Sequence, residues 1–102
     1  MSNPITPIPS LDRALQAIAD PTRRRILQAL KERNACSLGM DTGLCAGDIE
    51  ERIQLTQPTV SHHMAILTKA GLVETVKHGQ WRWYRRNEKA LRLLAKALRK
   101  QL

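Results

Sequence analysis

Leu55-Thr56-Gln57-Pro58-Thr59-Val60-Ser61-His62-His63-Met64, continued through Leu67 to Ala70-Gly71, is the stretch that decides the fold. Thr56 has the side chain of a helix N-cap, and Pro58 falls in the first turn, where a missing N–H costs nothing. Val60, His63 or Met64, and Leu67 recur at helical spacing as an inner stripe, and Gly71 supplies a C-terminal stop. The predicted helix, residues 57–70, follows a short helix over 49–53 and a tight turn at Gln54 and Leu55. A short helix, a tight turn and a second helix that opens on small polar residues is the arrangement that lets the second helix enter the major groove of DNA. That groove is about 12 Å wide and admits a helix whose first residues reach the base edges. Gln can pair with adenine through two hydrogen bonds, and Ser and Thr can bond to base or phosphate. Gln57, Thr59, Ser61 and His62 are therefore the expected DNA readers.

Upstream, three prolines at 4, 7 and 9 break any helix and predict a flexible arm over residues 1–9. Residues 10–102 then read as a single domain. Ser10 is placed to cap a first helix with Leu11, Ala14, Leu15 and Ile18 on one face. Asp20 caps a second that opens on Pro21 and buries Ile26, Leu27 and Leu30. From Asn34 to Gly47 the pattern breaks into a glycine-rich loop that carries Cys36 and Cys45.

Downstream, residues 72–76 and 81–86 are rich in Val, Thr, Trp and Tyr and flank His78-Gly79-Gln80, the signature of a hairpin. Lys77, Arg82 and Arg85 on such a hairpin, with His78 in its exposed turn, would lie along the phosphate backbone as a wing. Trp81 and Trp83 alternate onto one face, where packing against the core is the expectation. Asn87 caps a last helix with Leu91, Leu94 and Leu98 along one side. The fold class is thus mainly α with a β-hairpin wing, a winged helix-turn-helix.

Charge agrees with a polyanionic partner. Seventeen Lys and Arg oppose nine Asp and Glu, a formal net charge of +8, and nine of the basic residues lie from Lys77 onward against the single acid Glu88. No apolar run approaches the roughly 18 residues needed to span a bilayer. No charged segment followed by an apolar one opens the chain, so a cytoplasmic protein with reduced thiols is expected. Neither a catalytic triad nor a glycine-rich phosphate loop can be assembled, which argues against an enzyme.

The ordered set of Ala19-Asp20-Pro21-Thr22-Arg23-Arg24-Arg25-Ile26-Leu27, the stretch 55–64, Ala70-Gly71-Leu72-Val73 and Gly79-Gln80-Trp81-Arg82-Trp83-Tyr84-Arg85 resembles the ArsR/SmtB family of bacterial repressors. The resemblance covers nearly everything after Ser10. It implies a homodimer held by the first and last helices, with recognition helices in successive major grooves of operator DNA and release by an inducer. Its DNA-reading positions fall on Gln57, Thr59, Ser61 and His62. The leucine stripe of the last helix points to a dimer independently, because a lone amphipathic helix in so small a domain needs a cover. A protein-binding winged helix without DNA affinity is the alternative use of the fold.

In the family's arsenic sensors two cysteines one residue apart open the helix before the recognition helix. Cys45 keeps the first position and Gly47 replaces the second. Cys36 and Cys45 could converge on trivalent arsenic or antimony, or form a reversible disulfide. They could equally be ordinary loop residues in a regulator with no metal sensing. The family's other metal site uses Asp, His and Glu on the last helix, which here has no Asp or His, so no zinc site of that type is expected. His62 and His63, about 100° apart on a helix, are poor joint ligands. His63 is expected to pack, half-buried.

Overall fold

A computed structural model describes residues 11–31 and 43–102. The arm over 1–9, the Ser10 cap and Cys36 lie outside the described residues. Five helices and three strands follow in the order α1 (Leu11–Ile18), α2 (Pro21–Leu30), β1 (Leu44–Cys45), α3 (Ala46–Ile53), α4 (Gln57–Lys69), β2 (Val73–His78), β3 (Trp81–Arg86) and α5 (Glu88–Gln101). This is a winged helix-turn-helix, with α3 and α4 as the helix pair and β2–β3 as the wing.

The helix ends are set by the residues that the sequence nominates, with two exceptions. Asp20 accepts the Arg23 backbone N–H at 3.0 Å to open α2, and Asn87 accepts that of Ala90 at 3.1 Å to open α5. Gly71, at φ +77, stops α4. Thr56 occupies the N-cap of α4 but its side chain does not cap. Its Oγ1 instead shares a 3.0 Å hydrogen bond with Thr59 Oγ1. The helix expected over 49–53 begins three residues earlier, at Ala46, behind Cys45.

The core gathers Ile26 and Leu30 of α2, Leu44 of β1, Ile49 of α3, Val60, Met64 and Leu67 of α4, and Leu72, all fully buried. The inner stripe predicted for the recognition helix is therefore the one that packs. On α1 the buried residues are Ala14 and Ala17, both at zero exposure, whose small side chains let the backbone of α1 approach its neighbours closely. The C-terminal carbonyls of α1 are closed from outside by two arginines. Arg23 donates to Ala17 O at 2.6 Å and Gln16 O at 3.2 Å, and Arg24 donates to Ile18 O at 2.6 Å. This is the local use of the Arg-rich run after Pro21, since the last carbonyls of a helix have no partner within it.

The sheet is antiparallel with order β1-β3-β2. β2 and β3 pair from Val73↔Arg86 to His78↔Trp81, which corrects the hairpin in two ways. His78 is the last strand residue rather than part of the turn, and the turn is the pair Gly79-Gln80. Gly79, at φ +64, takes the first central position, where a two-residue hairpin of the II′ kind requires a positive φ. β1 was read as loop, yet Leu44 and Cys45 pair with Tyr84 and Trp83. Gly43 makes that approach feasible. It sits at φ +94, and a Cβ there would stand 2.2 Å from Tyr84 O.

Candidate nucleic-acid interface

The turn between α3 and α4 fixes how the second helix is presented. Gln54 closes α3 in the left-handed conformation at φ 64, the one non-glycine residue with positive φ among the described residues. Its N–H bonds Glu50 O at 2.9 Å. Two residues on, Thr56 is extended and α4 begins. Val60, Met64 and Leu67 then pin α4 to the core, and Gln57, Ser61 and His62 are left exposed.

A groove of about 680 Å³ runs between α4, the wing and the α3 residues Ala46, Gly47 and Glu50. Gln57, Ser61, Thr68 and Lys69 form one wall, and Thr75, Trp81 and Arg82 belong to the other. Ser61 follows Gln57 by four residues, so the two project together along this groove. Thr59 and His62 do not line it. Thr59 is half-buried and engaged by Thr56, whereas His62 is exposed on the neighbouring face of α4. The four sequence-predicted readers thus divide into two in the groove, one beside it and one tied into the helix start.

The wing residues also divide. Lys77 and Arg82 are exposed Cα partners, so two positive charges stand directly opposite each other. Like charges so placed destabilise a hairpin. Arg85, by contrast, is already neutralised: its Nε lies 2.8 Å from Glu74 Oε1 across the strands, and its guanidinium lies over the Trp83 ring, 5.6 Å from its centroid. The two tryptophans separate as well. Trp83, 7% exposed, packs as expected, but Trp81 is 51% exposed, against the packing role read for it. The reason is the short third strand: β1 pairs only with Trp83 and Tyr84, and Trp81 lies beyond its reach.

His63, next to the exposed His62, is half-buried and its Nδ1 lies 3.2 Å from Arg23 Nη1. Burial pushes the imidazole below its ordinary value; Asp20 acts upward, and the positive charges of Arg23 and His62 act downward. Asp20 is itself held low, chiefly by the Arg23 backbone N–H that it accepts. Sequence reasoning gave His63 a packing role and missed this polar link. The Asp-Pro-Thr-Arg run and the second histidine of the recognition segment were its only traces.

Cys45 is buried and forms the N-cap of α3, and its Sγ lies 3.1 Å from Asp48 Oδ2. Nothing stands within 4 Å of where a Gly47 side chain would begin, so the position of the second family thiol is open space. Among the described residues, no group of three or more His, Cys, Asp and Glu is arranged to hold a metal ion. No described helix is long and apolar enough to cross a membrane.

Residues 18–76, more than half of the chain, match the family described as a helix-turn-helix domain. The chain is similar to the arsenical resistance operon repressor of Staphylococcus aureus, with 38% identity over 79% of this chain and 69% of that protein. Among solved structures it is similar to an ArsR-like transcriptional regulator from Rhodococcus sp. RHA1, at 27% identity and a TM-score of 0.74, covering 88% of this chain and 74% of the other. It is also similar to the homodimeric winged helix-turn-helix DNA-binding domain of a Mycobacterium bovis protein, at 26% identity and a TM-score of 0.66, covering 86% and 74%.

Proposed function

The chain belongs to the ArsR/SmtB family of winged helix-turn-helix transcriptional regulators, and from that premise we propose that it is a cytoplasmic repressor that binds operator DNA as a homodimer. The observation that carries this reading is the groove in which Gln57 and Ser61 of α4 face Arg82 of the wing. α4 enters the major groove, Gln57, Ser61 and His62 read base edges, Thr59 supports the first turn, and Lys77 and Arg82 hold phosphates. A phosphate between Lys77 and Arg82 would relieve the repulsion that the free hairpin carries. Arg85 contributes less, because Glu74 already faces it.

The dimer forms through α1 and α5. Leu11, Ile18, Leu91 and Leu98 are only partly buried within the protomer, and the similar Mycobacterium bovis domain is a homodimer. Release is by thiol chemistry, with Cys45 as the near group and Cys36 as its partner, through trivalent arsenic or antimony or through oxidation. The support is positional: Cys45 links the sheet to the first residue of α3, so a new bond at its sulfur would strain the helix that sets α4.

The test is selection from a random-sequence duplex pool. The expected product is a site with imperfect twofold symmetry and half-sites about one helical turn apart. Failure to enrich any sequence overturns the reading. On the selected duplex, arsenite, antimonite and diamide should each be titrated against the parent, Cys36→Ser and Cys45→Ser. A response that is the same in all three proteins removes thiol sensing and leaves the repressor reading intact.

A further inference from the structure

Arg23 bridges α1 and the recognition helix by hydrogen bonds from one guanidinium. We propose that His63 is a positioning residue for DNA reading, which holds α4 in its working orientation by accepting a hydrogen bond from Arg23 and lets go when it takes up a proton. The proposal rests on the reading of α4 as the DNA-recognition helix.

The donor inventory fixes the chemistry. A guanidinium has no acceptor, so His63 Nδ1 must receive the bond and the ring proton must sit on Nε2. Arg23 is not free to follow a moving partner. Its Nε and Nη2 are committed to Ala17 O and Gln16 O, and its backbone N–H to Asp20. Nη1 is therefore a fixed post at the α1–α2 corner. The apolar stripe of α4 holds the helix to the core through non-directional contacts. The Arg23–His63 bond at the edge of the stripe adds a directional one. His63 stands one residue from His62 and two from Ser61, so a rotation there displaces two readers together.

A proton on Nδ1 removes the acceptor and sets a second positive charge against Arg23. The charged groups that bear on the ring are Asp20 and Arg23 from α2 with its cap, and His62 on α4 itself. Burial and Arg23 together outweigh Asp20, so the folded protein favours neutral His63. Its hold is complete above about pH 6.5, the unfolded value, and is lost as pH falls through the lowered folded value.

The experiment measures affinity for the selected duplex from pH 8 to 5.5 at constant salt, for the parent, His63→Asn and His63→Ala. Asn places Oδ1 near the position of Nδ1 and does not titrate. All three proteins differ at position 63 alone, so pH effects common to the rest of the chain cancel in the comparison. Parent and Asn variant should agree within about twofold at pH 8, and the parent should fall about tenfold below the Asn variant in acid. The Ala variant should bind weakly at both pH values while its circular dichroism and melting remain those of a folded protein. An Asn variant that follows the parent's pH profile, or an Ala variant that binds like the parent, overturns the proposal. Nitrogen-15 NMR of the DNA-free protein at pH 8 separates this failure from that of the DNA reading: a ring other than the Nε2–H tautomer there overturns the proposal whatever the DNA result. A parent that binds no duplex at any pH overturns the reading of α4 itself, and the proposal with it.

Discussion

Lys77 and Arg82 face each other across the wing as Cα partners, two positive charges with adjacent strands holding them together. The arrangement costs stability in the free protein, a cost that the proposed phosphate contact would relieve. Lys77→Ala should therefore stabilise the free protein in urea unfolding by a few tenths of a kcal/mol up to about 1. The same change should weaken operator binding and lower the slope of log affinity against log salt by about 1. Arg85→Ala should alter that slope less, because Glu74 already pairs with it. Equal slopes for the two variants would remove the distinction between Lys77 and Arg85.

The tryptophans should behave oppositely on truncation. Trp83→Ala opens a cavity beneath β1 and should cost about 3 to 5 kcal/mol by denaturant unfolding. Trp81→Ala, at a half-exposed site, should cost well under about 1 kcal/mol. Trp83→Phe is the finer test. The indole Nε1 is buried with no partner among the described residues, so losing it removes an unsatisfied donor and should offset part of the lost area.

Two glycines near the start of α3 should diverge as sharply. Gly43→Ala drives a Cβ into Tyr84 O at a positive φ and should detach β1, at a cost of several kcal/mol and roughly the largest of any variant here. Gly47→Ala enters open space in a helical backbone and should stabilise by about 0.5 to 1 kcal/mol. Thermal melting of the two variants checks both signs.

How far the sequence could be read follows from the range of the forces involved. The α2 and α5 starts at Asp20 and Asn87, the apolar stripe of α4 and the Gly71 stop are local, and each was legible. β1 was not, because two residues cannot display alternation and its partners lie some forty positions away in β3. Trp81 was misread for the same reason: alternation says which face a residue occupies, not how far the neighbouring strand extends. The Thr56 cap failed because Thr59 offered its hydroxyl a competing partner. The Arg23–His63 bond spans forty residues and has no periodicity at all.

Asn87 carries four bonds at once, one of them from the Leu91 N–H to its carbonyl, and supplies a further test. Besides capping α5, it donates from Nδ2 to Gly71 O at 3.1 Å and from its backbone to Leu72 O at 2.9 Å. Asn87→Ala keeps only the two backbone bonds and should cost about 1 to 2 kcal/mol. Asn87→Asp keeps the cap but loses the Nδ2 donor, so it should fall between parent and Ala in urea unfolding.

The strand order leaves β2 on the outside of the sheet, with one side of its backbone unpaired among the described residues. An open edge is a template on which another molecule's strand can grow. Glu74 and Lys77 are exposed on that edge, and a charged edge strand resists stacking against a copy of itself. The residue proposed to grip a phosphate thus also opposes edge-to-edge pairing. A wing stripped of its charge for the sake of stability would risk exchanging a DNA-binding surface for a seed of cross-β assembly.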